Sequence, residues 1–350
     1  MSQGEVRVTP GALREFTREV FVRVGLPPED AETEADVLVW ANLRGVDSHG
    51  VLRIPQYVDA VAEGRMNPRP DIRVEWETPA ALLIEADRAF GPVVTVLAVK
   101  WVMEKASDVG IGWSLIRNTT HQGAMGYYTL MVANEGMAGI ALVCSPPNMA
   151  PRGARAAGVH NSPIAISVPA KHRRPLVLDM ATSVAAGGKL TLAADKGIPL
   201  PDGWALDKDG NPTTDPKLAT TLIPMGGYKG YGLALMFECL SSVMVGNPLL
   251  EPVLLGQEGT PRGIQNSIVA AIDIGAFTDL EAYKEHIDNL IQGLKSLPKA
   301  DSVDEILVPG EPEDRVREER ERNGIPLPAG TLRRLQVVAE RLDVELPATL

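Results

Sequence analysis

The chain of 350 residues predicts an α/β fold: a mixed sheet flanked by helices, with a helical subdomain drawn from both ends. Three observations predict it. From about residue 72 onward, short apolar runs bounded by turn residues alternate with segments of helical period. Residues 1 to about 65 hold three helix signals and no strand signal. Beyond Pro309-Gly310 the tail is helical again. The expected division is therefore 1–70 with 311–350 as the helical unit and 71–310 as the α/β core, in which 120–225 forms a sub-lobe. Hydrophobic residues make up 45% and charged residues 23%, a globular balance with enough apolar side chains for a large core.

Each element has its own warrant. Thr9 is placed to cap a helix that has Pro10 at its first position. Leu13, Phe16, Val20 and Val24 follow at helical spacing, and Gly25 with Pro27-Pro28 ends the run. A second helix spans Pro28–Leu43, with acids in its first turn and Val37, Leu38, Trp40 and Ala41 later. The third covers about 55–64, since proline is tolerated only in a helix's first turn. Ser48 and His49 lie in the loop between them. Ala81–Glu85 reads as a strand, 90–108 as a helix, and Gly110-Ile111-Gly112 as the start of a strand ending at Arg117-Asn118. A helix over Gly126–Asn134 precedes a strand over 139–144. Ile164–Val168 and 176–178 pair around Lys171-His172-Arg173-Arg174. The segment 231–245 is apolar on most faces, which predicts a buried helix. A strand over 267–272 and a helix over 280–294 follow. Residues 313–322 form a heavily charged helix with a solvated face. Residues 331–342 form an amphipathic helix docked on the N-terminal bundle.

Composition narrows the function. The formal net charge is −11 with no basic run, so a phosphate backbone is repelled and no nucleic-acid partner is expected. Two cysteines, Cys144 and Cys239, cannot build a disulfide framework. Their apolar neighbours predict small buried residues in a reducing cytoplasm. The first residues carry early charges and no apolar run, which predicts no signal peptide, and no run is long enough for a membrane span.

The densest chemistry is Asp47-Ser48-His49-Gly50-Val51-Leu52-Arg53, continued by Ile54-Pro55-Gln56-Tyr57. An imidazole exchanges a proton near neutral pH, and a guanidinium holds a carboxylate with two parallel bonds. Together with the Ser48 hydroxyl and the Tyr57 phenol they point to proton transfer on a small carboxylic acid. A structural histidine at a loop–helix junction is the competing reading of His49. His121 stands in Asn118-Thr119-Thr120-His121-Gln122-Gly123-Ala124-Met125-Gly126, between a strand and a helix. That is a common place for a ligand loop, although a capping turn with an incidental histidine explains it as well. Asp179-Met180-Ala181-Thr182-Ser183 presents an acid and two hydroxyls at a strand end, or caps the next helix. Gly226-Gly227-Tyr228-Lys229-Gly230-Tyr231-Gly232 opens a helix whose amides, with Lys229, can hold an anion. It is neither a Walker loop nor the G-x-G-x-x-G fingerprint, so any nicotinamide cofactor requires a non-Rossmann domain. No histidine or cysteine spacing fits a metal site, and His172 and His286 read as surface residues.

Taken as ordered blocks, these segments resemble the malate/L-lactate/L-sulfolactate dehydrogenase family, which includes ureidoglycolate dehydrogenase, diketogulonate reductase and piperideine-carboxylate reductase. Trp204-Ala205-Leu206-Asp207, Thr214-Asp215-Pro216 and Pro309-Gly310-Glu311 extend the resemblance over nearly the whole chain. It implies hydride transfer with NAD or NADP on a small 2-hydroxy, 2-oxo or 2-imino acid, by a homodimer with active sites near the subunit interface. It places cofactor contacts at His121, Gly123, Ala124 and Met125, and at Asp179, Met180, Ala181, Thr182 and Ser183. Further contacts fall at Tyr228 and Lys229, and at Gly310 and Glu311. It places the proton-transfer group at His49 with Ser48 orienting it, or at His121 in some members, and carboxylate contacts at Arg53 and Tyr57. One block departs. Where many relatives read paired glycines and then Gly-x-Asn-Pro, this chain has Pro151-Arg152-Gly153-Ala154-Arg155 and His160-Asn161-Ser162-Pro163. Arg152, Arg155 and His160 are thus expected to accommodate an unusual or more anionic substrate.

Overall fold

In the computed structural model, which describes residues 6–257 and 263–350, the chain opens on β1 (Val6–Val8), α1 (Pro10–Arg23) and α2 (Pro28–Leu43). Thr9 caps α1, its hydroxyl accepting from the Ala12 amide at 3.2 Å. Two 3-10 turns, Asp47–His49 and Val51–Arg53, lead into α3 (Ile54–Ala62), with Pro55 in its first turn. Then come β2 (Arg73–Glu77), β3 (Ala81–Glu85), α4 (Gly91–Val109), β4 (Ile111–Thr119), α5 (Gly126–Asn134) and β5 (Ala138–Cys144). The hairpin β6 (Ile164–Val168) and β7 (Leu176–Met180) precedes α6 (Gly187–Lys196). Three two-residue strands follow: β8 (Ala205–Leu206), β9 (Pro212–Thr213) and β10 (Thr221–Leu222). Helix α7 (Tyr228–Glu238) runs into a π-helical turn, Cys239–Val243. The chain closes with α8 (Glu251–Leu254), β11 (Gln265–Ile272), α9 (Leu280–Lys295), α10 (Glu311–Asn323), β12 (Ile325–Leu327) and α11 (Ala329–Leu342).

Seven strands form the main sheet in the order β2–β3–β4–β11–β5–β6–β7. Only β3 and β4 run parallel within it, with α4 as the crossover, and the other neighbours are antiparallel. The sheet is mixed, as predicted. β11 enters between β4 and β5, so residues 265–271 are buried along their whole length. Helices α4 and α5 cover one face, packing Val94, Ala98, Val102, Tyr128 and Val132 on Ile84, Ile116, Ala141 and Val269. Phe237 and Leu249 cover Leu142 and Ile268 on the other. A separate core joins Leu13, Phe16, Phe21, Leu38 and Tyr57 to Leu335 and Val338 of α11. The terminal helix therefore docks on the N-terminal helices, as its amphipathic pattern predicted. β1 pairs with β12; three-residue strands carry too little period to be read from sequence.

Two expectations fail around α7. This helix begins at Tyr228, and it is not buried all round: Leu233 is 40% and Met236 55% exposed. One side is enough to cover the sheet, and the remaining apolar side chains point outward. Cys239, expected to be buried as Cys144 is, is exposed for the same reason. The charged helix α10 also differs from a plainly solvated one, because Arg320 and Asp314 turn inward to Asp47 and Arg44.

Candidate active site

The loop carrying His49 is fixed from several sides. Asn42 of α2 accepts from the Val51 amide at 2.9 Å and donates to Asp47 at 2.7 Å. Arg320 grips the same carboxylate with two bonds, at 2.6 and 3.0 Å, a fork geometry that sets direction as well as distance. On the far side, α6 approaches so closely that a Cβ on Gly188 would lie 2.5 Å from the Ser48 Cβ. Only glycine fits there.

The fold brings His121, 64 residues beyond Tyr57 in the chain, to this loop. Its rings and those of His49 stack with centroids 5.4 Å apart and planes inclined by 23°. Ser48 Oγ lies 2.9 Å from His49 Nδ1, and the Tyr57 hydroxyl 2.5 Å from His121 Nδ1. The Gly123 amide also donates to His121 Nδ1, at 3.2 Å. A backbone N–H can only donate, so Nδ1 is the acceptor and the neutral ring carries its proton on Nε2. Arg53 uses Nε on the Ser48 carbonyl at 2.8 Å and one terminal nitrogen on Gln56 at 3.1 Å. Its other terminal nitrogen has no protein hydrogen bond among the described residues.

Electrostatics favour uncharged imidazoles here. Burial, then Arg53 and Lys189, pull the His49 pKa down to about 3. Burial, then Arg53 and the other two histidines of the cavity, hold His121 well below its ordinary value. Burial pushes the Tyr57 hydroxyl up, with Glu34 adding to it, so Tyr57 stays protonated and donates to His121.

A cavity of about 1290 Å³ opens over these groups. His49, Arg53, Tyr57 and His121 line it, as do Gly123, Ala124, Met125, Asp179, Met180, Ala181, Ser183 and Gly310. Asp179 accepts from the Gly126 amide at 2.7 Å, and burial raises its pKa to about 6. Four of the residues expected to hold cofactor lie elsewhere. Thr182 is fully buried behind the wall, its amide donating to the Asn161 carbonyl. Tyr228 is 60% exposed at the start of α7, beside Lys229. Glu311 is spent on Lys295 at 2.7 Å and on the Val308 amide at 3.1 Å. Arg152 and Arg155 are also exposed and off the cavity wall, one beside the Tyr228 ring and the other bonded to Asn211. Of that trio only His160 faces the cavity. His172 and His286 are exposed.

A family model described as malate/L-lactate dehydrogenase matches residues 8–336. The chain belongs to this family. Malate dehydrogenase of Pyrococcus horikoshii is 39% identical over 355 positions, covering 99% of this chain and 98% of its own. L-sulfolactate dehydrogenase of Methanocaldococcus jannaschii is 37% identical, with 94% and 95% covered. Among solved structures, that P. horikoshii malate dehydrogenase aligns with a TM-score of 0.88 at 37% identity, over 98% of this chain and 97% of its own. Δ1-piperideine-2-carboxylate reductase of Pseudomonas syringae gives 0.80 at 29% identity, over 95% and 99%. The protein is an oxidoreductase of the malate/lactate dehydrogenase type, and such an enzyme works with a nicotinamide cofactor.

Sequence reasoning missed several groups that shape this dehydrogenase's site. Lys189 adds positive charge near His49, Arg320 aims the loop through Asp47, and Glu34 lies fully buried in α2. The Asp47-to-Tyr57 block held no signal for any of them, because each arrives from a distant segment or an unremarkable helix face.

Proposed function

We propose that this dehydrogenase moves hydride between NAD or NADP and C2 of a small 2-hydroxy or 2-oxo carboxylic acid such as malate or lactate. The observation that carries the reading is the stacked His49–His121 pair with Arg53 in one cavity. At about 1290 Å³ that cavity exceeds the roughly 300–1,000 Å³ of ordinary small-molecule sites, which leaves room for a dinucleotide beside an acid. The Gln122 side-chain carbonyl, buried without a protein partner among the described residues, and the wall of Asp179, Met180, Ala181 and Ser183 are suited to hold it. The bound nicotinamide supplies or accepts the hydride at C2.

The protein's own groups do the rest. Arg53 holds the substrate carboxylate, and Tyr57 orients the acid and fixes His121. His121 presents Nε2–H to the C2 oxygen and polarises it. His49, with Nδ1 turned to Ser48, keeps a lone pair on Nε2 and takes the hydroxyl proton in oxidation. In reduction a protonated His49 gives it back. The mixed sheet, in place of a doubly wound one, supports a non-Rossmann cofactor domain. The two separate cores support the division into 1–70 with 311–350 and 71–310. The exposed apolar side chains on and just beyond α7 and α8, among them Met236, Met244, Leu254 and Leu255, support a homodimer.

A panel of pyruvate, oxaloacetate and a cyclic 2-imino acid with NADH and NADPH, followed at the nicotinamide absorbance, tests the reading. Turnover of at least one 2-oxo or 2-imino acid is expected, and none with either dinucleotide would overturn it.

A pH profile gives a second test. Lys189→Met removes one of the two cations that depress His49, which raises the His49 pKa. Reduction requires the protonated ring, so its rate climbs as pH falls, and that climb is expected to start at higher pH in the variant. A profile that stays in place, or moves down, would detach the limb from His49.

A further inference from the structure

Beyond the corner where Arg53 and Lys189 bear on His49, the cavity has a wall of a different kind. His160 is 8% exposed and Gln265 7% exposed, and both face the cavity together with Gln122, which is 1% exposed. Ser162 Oγ donates to Cys144 Sγ at 3.5 Å, so its lone pairs accept from His160 Nδ1 at 3.3 Å. In that arrangement Nδ1 carries the proton and Nε2 has a lone pair with no hydrogen-bond partner among the described residues. Gln122 spends its amide nitrogen on Ser267 Oγ at 2.8 Å, leaving Oε1 buried and unpaired. Gln265 Oε1 is buried and unpaired as well. Cys144 pairs in register with Asn266, next to Gln265, which places the three groups around one end of β5 and β11.

Burial alone pulls the His160 pKa down to about 3, with no ionised group contributing. The wall is therefore uncharged, and rich in lone pairs that lack donors. Unpaired buried acceptors cost about 1–3 kcal/mol each unless a ligand satisfies them. A second carboxylate on the substrate has only lone pairs to offer and does not answer this wall. A group with N–H donors and a carbonyl does.

We propose that His160, with Gln122 and Gln265, forms a carboxamide subsite in which His160 Nε2 accepts an N–H of the ligand. Two ligands carry that chemistry. One is the nicotinamide ring, whose carboxamide sits on the carbon next to C4 and so must lie close to the reacting centre. His160 is near enough to His121 to perturb its titration, which suits that position. The other is an amide-bearing 2-oxo acid. The inference rests on the dehydrogenase reading above.

The test compares the parent protein with His160→Phe, which fills the same space without a polar atom, and His160→Gln, which restores an acceptor. Thermal unfolding first establishes that both are folded. Fluorescence titration then gives Kd for NADH and for its 3-acetylpyridine analogue, which lacks the N–H donors. Kinetics give kcat/KM for 2-oxosuccinamate against oxaloacetate, its carboxylate isostere. A preference for NADH over the analogue that falls about tenfold in His160→Phe, and returns in His160→Gln, assigns the subsite to the cofactor. A similar fall in the 2-oxosuccinamate to oxaloacetate ratio assigns it to the substrate. If neither ratio moves while dinucleotide still binds, the subsite is overturned and the dehydrogenase reading stands. If the parent protein binds neither dinucleotide nor analogue, both fail together.

Discussion

His49→Asn is expected to lower turnover in both directions by about two to four orders of magnitude, with dinucleotide affinity nearly unchanged. Asparagine can keep a hydrogen bond to Ser48, so the loop held by Asn42 and Arg320 stays in place while the proton acceptor is lost. The argument for His49 over His121 is one of lone pairs. His121 receives the Gly123 amide and the Tyr57 hydroxyl at Nδ1, which leaves Nε2 protonated. A ring in that state donates a hydrogen bond to the substrate oxygen but has no lone pair with which to take its proton. His49 can take it, since its partner among the described residues is the Ser48 hydroxyl, which is able to accept from Nδ1–H, and that tautomer leaves the lone pair on Nε2. His121→Asn is therefore expected to cost less in kcat than His49→Asn, because an amide N–H still reaches the oxygen. Steady-state kinetics of the two variants, with dinucleotide titrations alongside, decide it. A larger kcat loss in His121→Asn would exchange the two roles.

The site was legible in the sequence where its chemistry is local. Ser48, His49, Arg53 and Tyr57 lie within two short turns and the start of α3, so residue type and spacing were enough to group them. His121 was recognisable as a loop histidine, but only the β3–α4–β4 unit sets it against Tyr57. The helices and inner strands were legible because their apolar period is long enough to count. The segment 231–245 shows where that reasoning ends: an apolar surround predicts burial, and this helix leaves part of it uncovered within the single chain. Arg152 and Arg155 mark the same limit. Charge beside a conspicuous loop suggested an anionic substrate, but the backbone turns both outward and brings in only the uncharged His160. Tyr228, Lys229 and Glu311 likewise lie off the cavity wall in one chain, since a block of sequence fixes neither which side chain turns inward nor which ion pair claims it. Glu34 was invisible, because one more acid on an acidic helix draws no notice until its burial is known.

Glu34→Met is expected to stabilise the protein, and more so as pH rises. Glu34 is fully buried, and neither carboxylate oxygen has a hydrogen-bond partner among the described residues. Burial raises its pKa well above the ordinary value, so the folded state holds its proton at pH values where the unfolded chain has released it. The sign follows from linkage. A group whose folded pKa is raised contributes stability that is fully present below the unfolded pKa and is lost as pH climbs toward the folded one. The parent should therefore lose about 1.4 kcal/mol per pH unit from this group across that window. Methionine is unbranched and similar in length, so it fills the space between Tyr57 and Tyr128 without an ionisable or unpaired polar atom. At pH 8 the variant is expected to gain about 1–3 kcal/mol at least, the cost of an unsatisfied buried polar group. At pH 5 the gain should shrink toward what neutral carboxyl burial alone costs. Denaturant melts of the two proteins at pH 5, 6.5 and 8 measure the difference. A variant less stable than the parent at pH 8, or a gain independent of pH, would mean that Glu34 is paired in solution and is not a buried, protonated acid behind Tyr57.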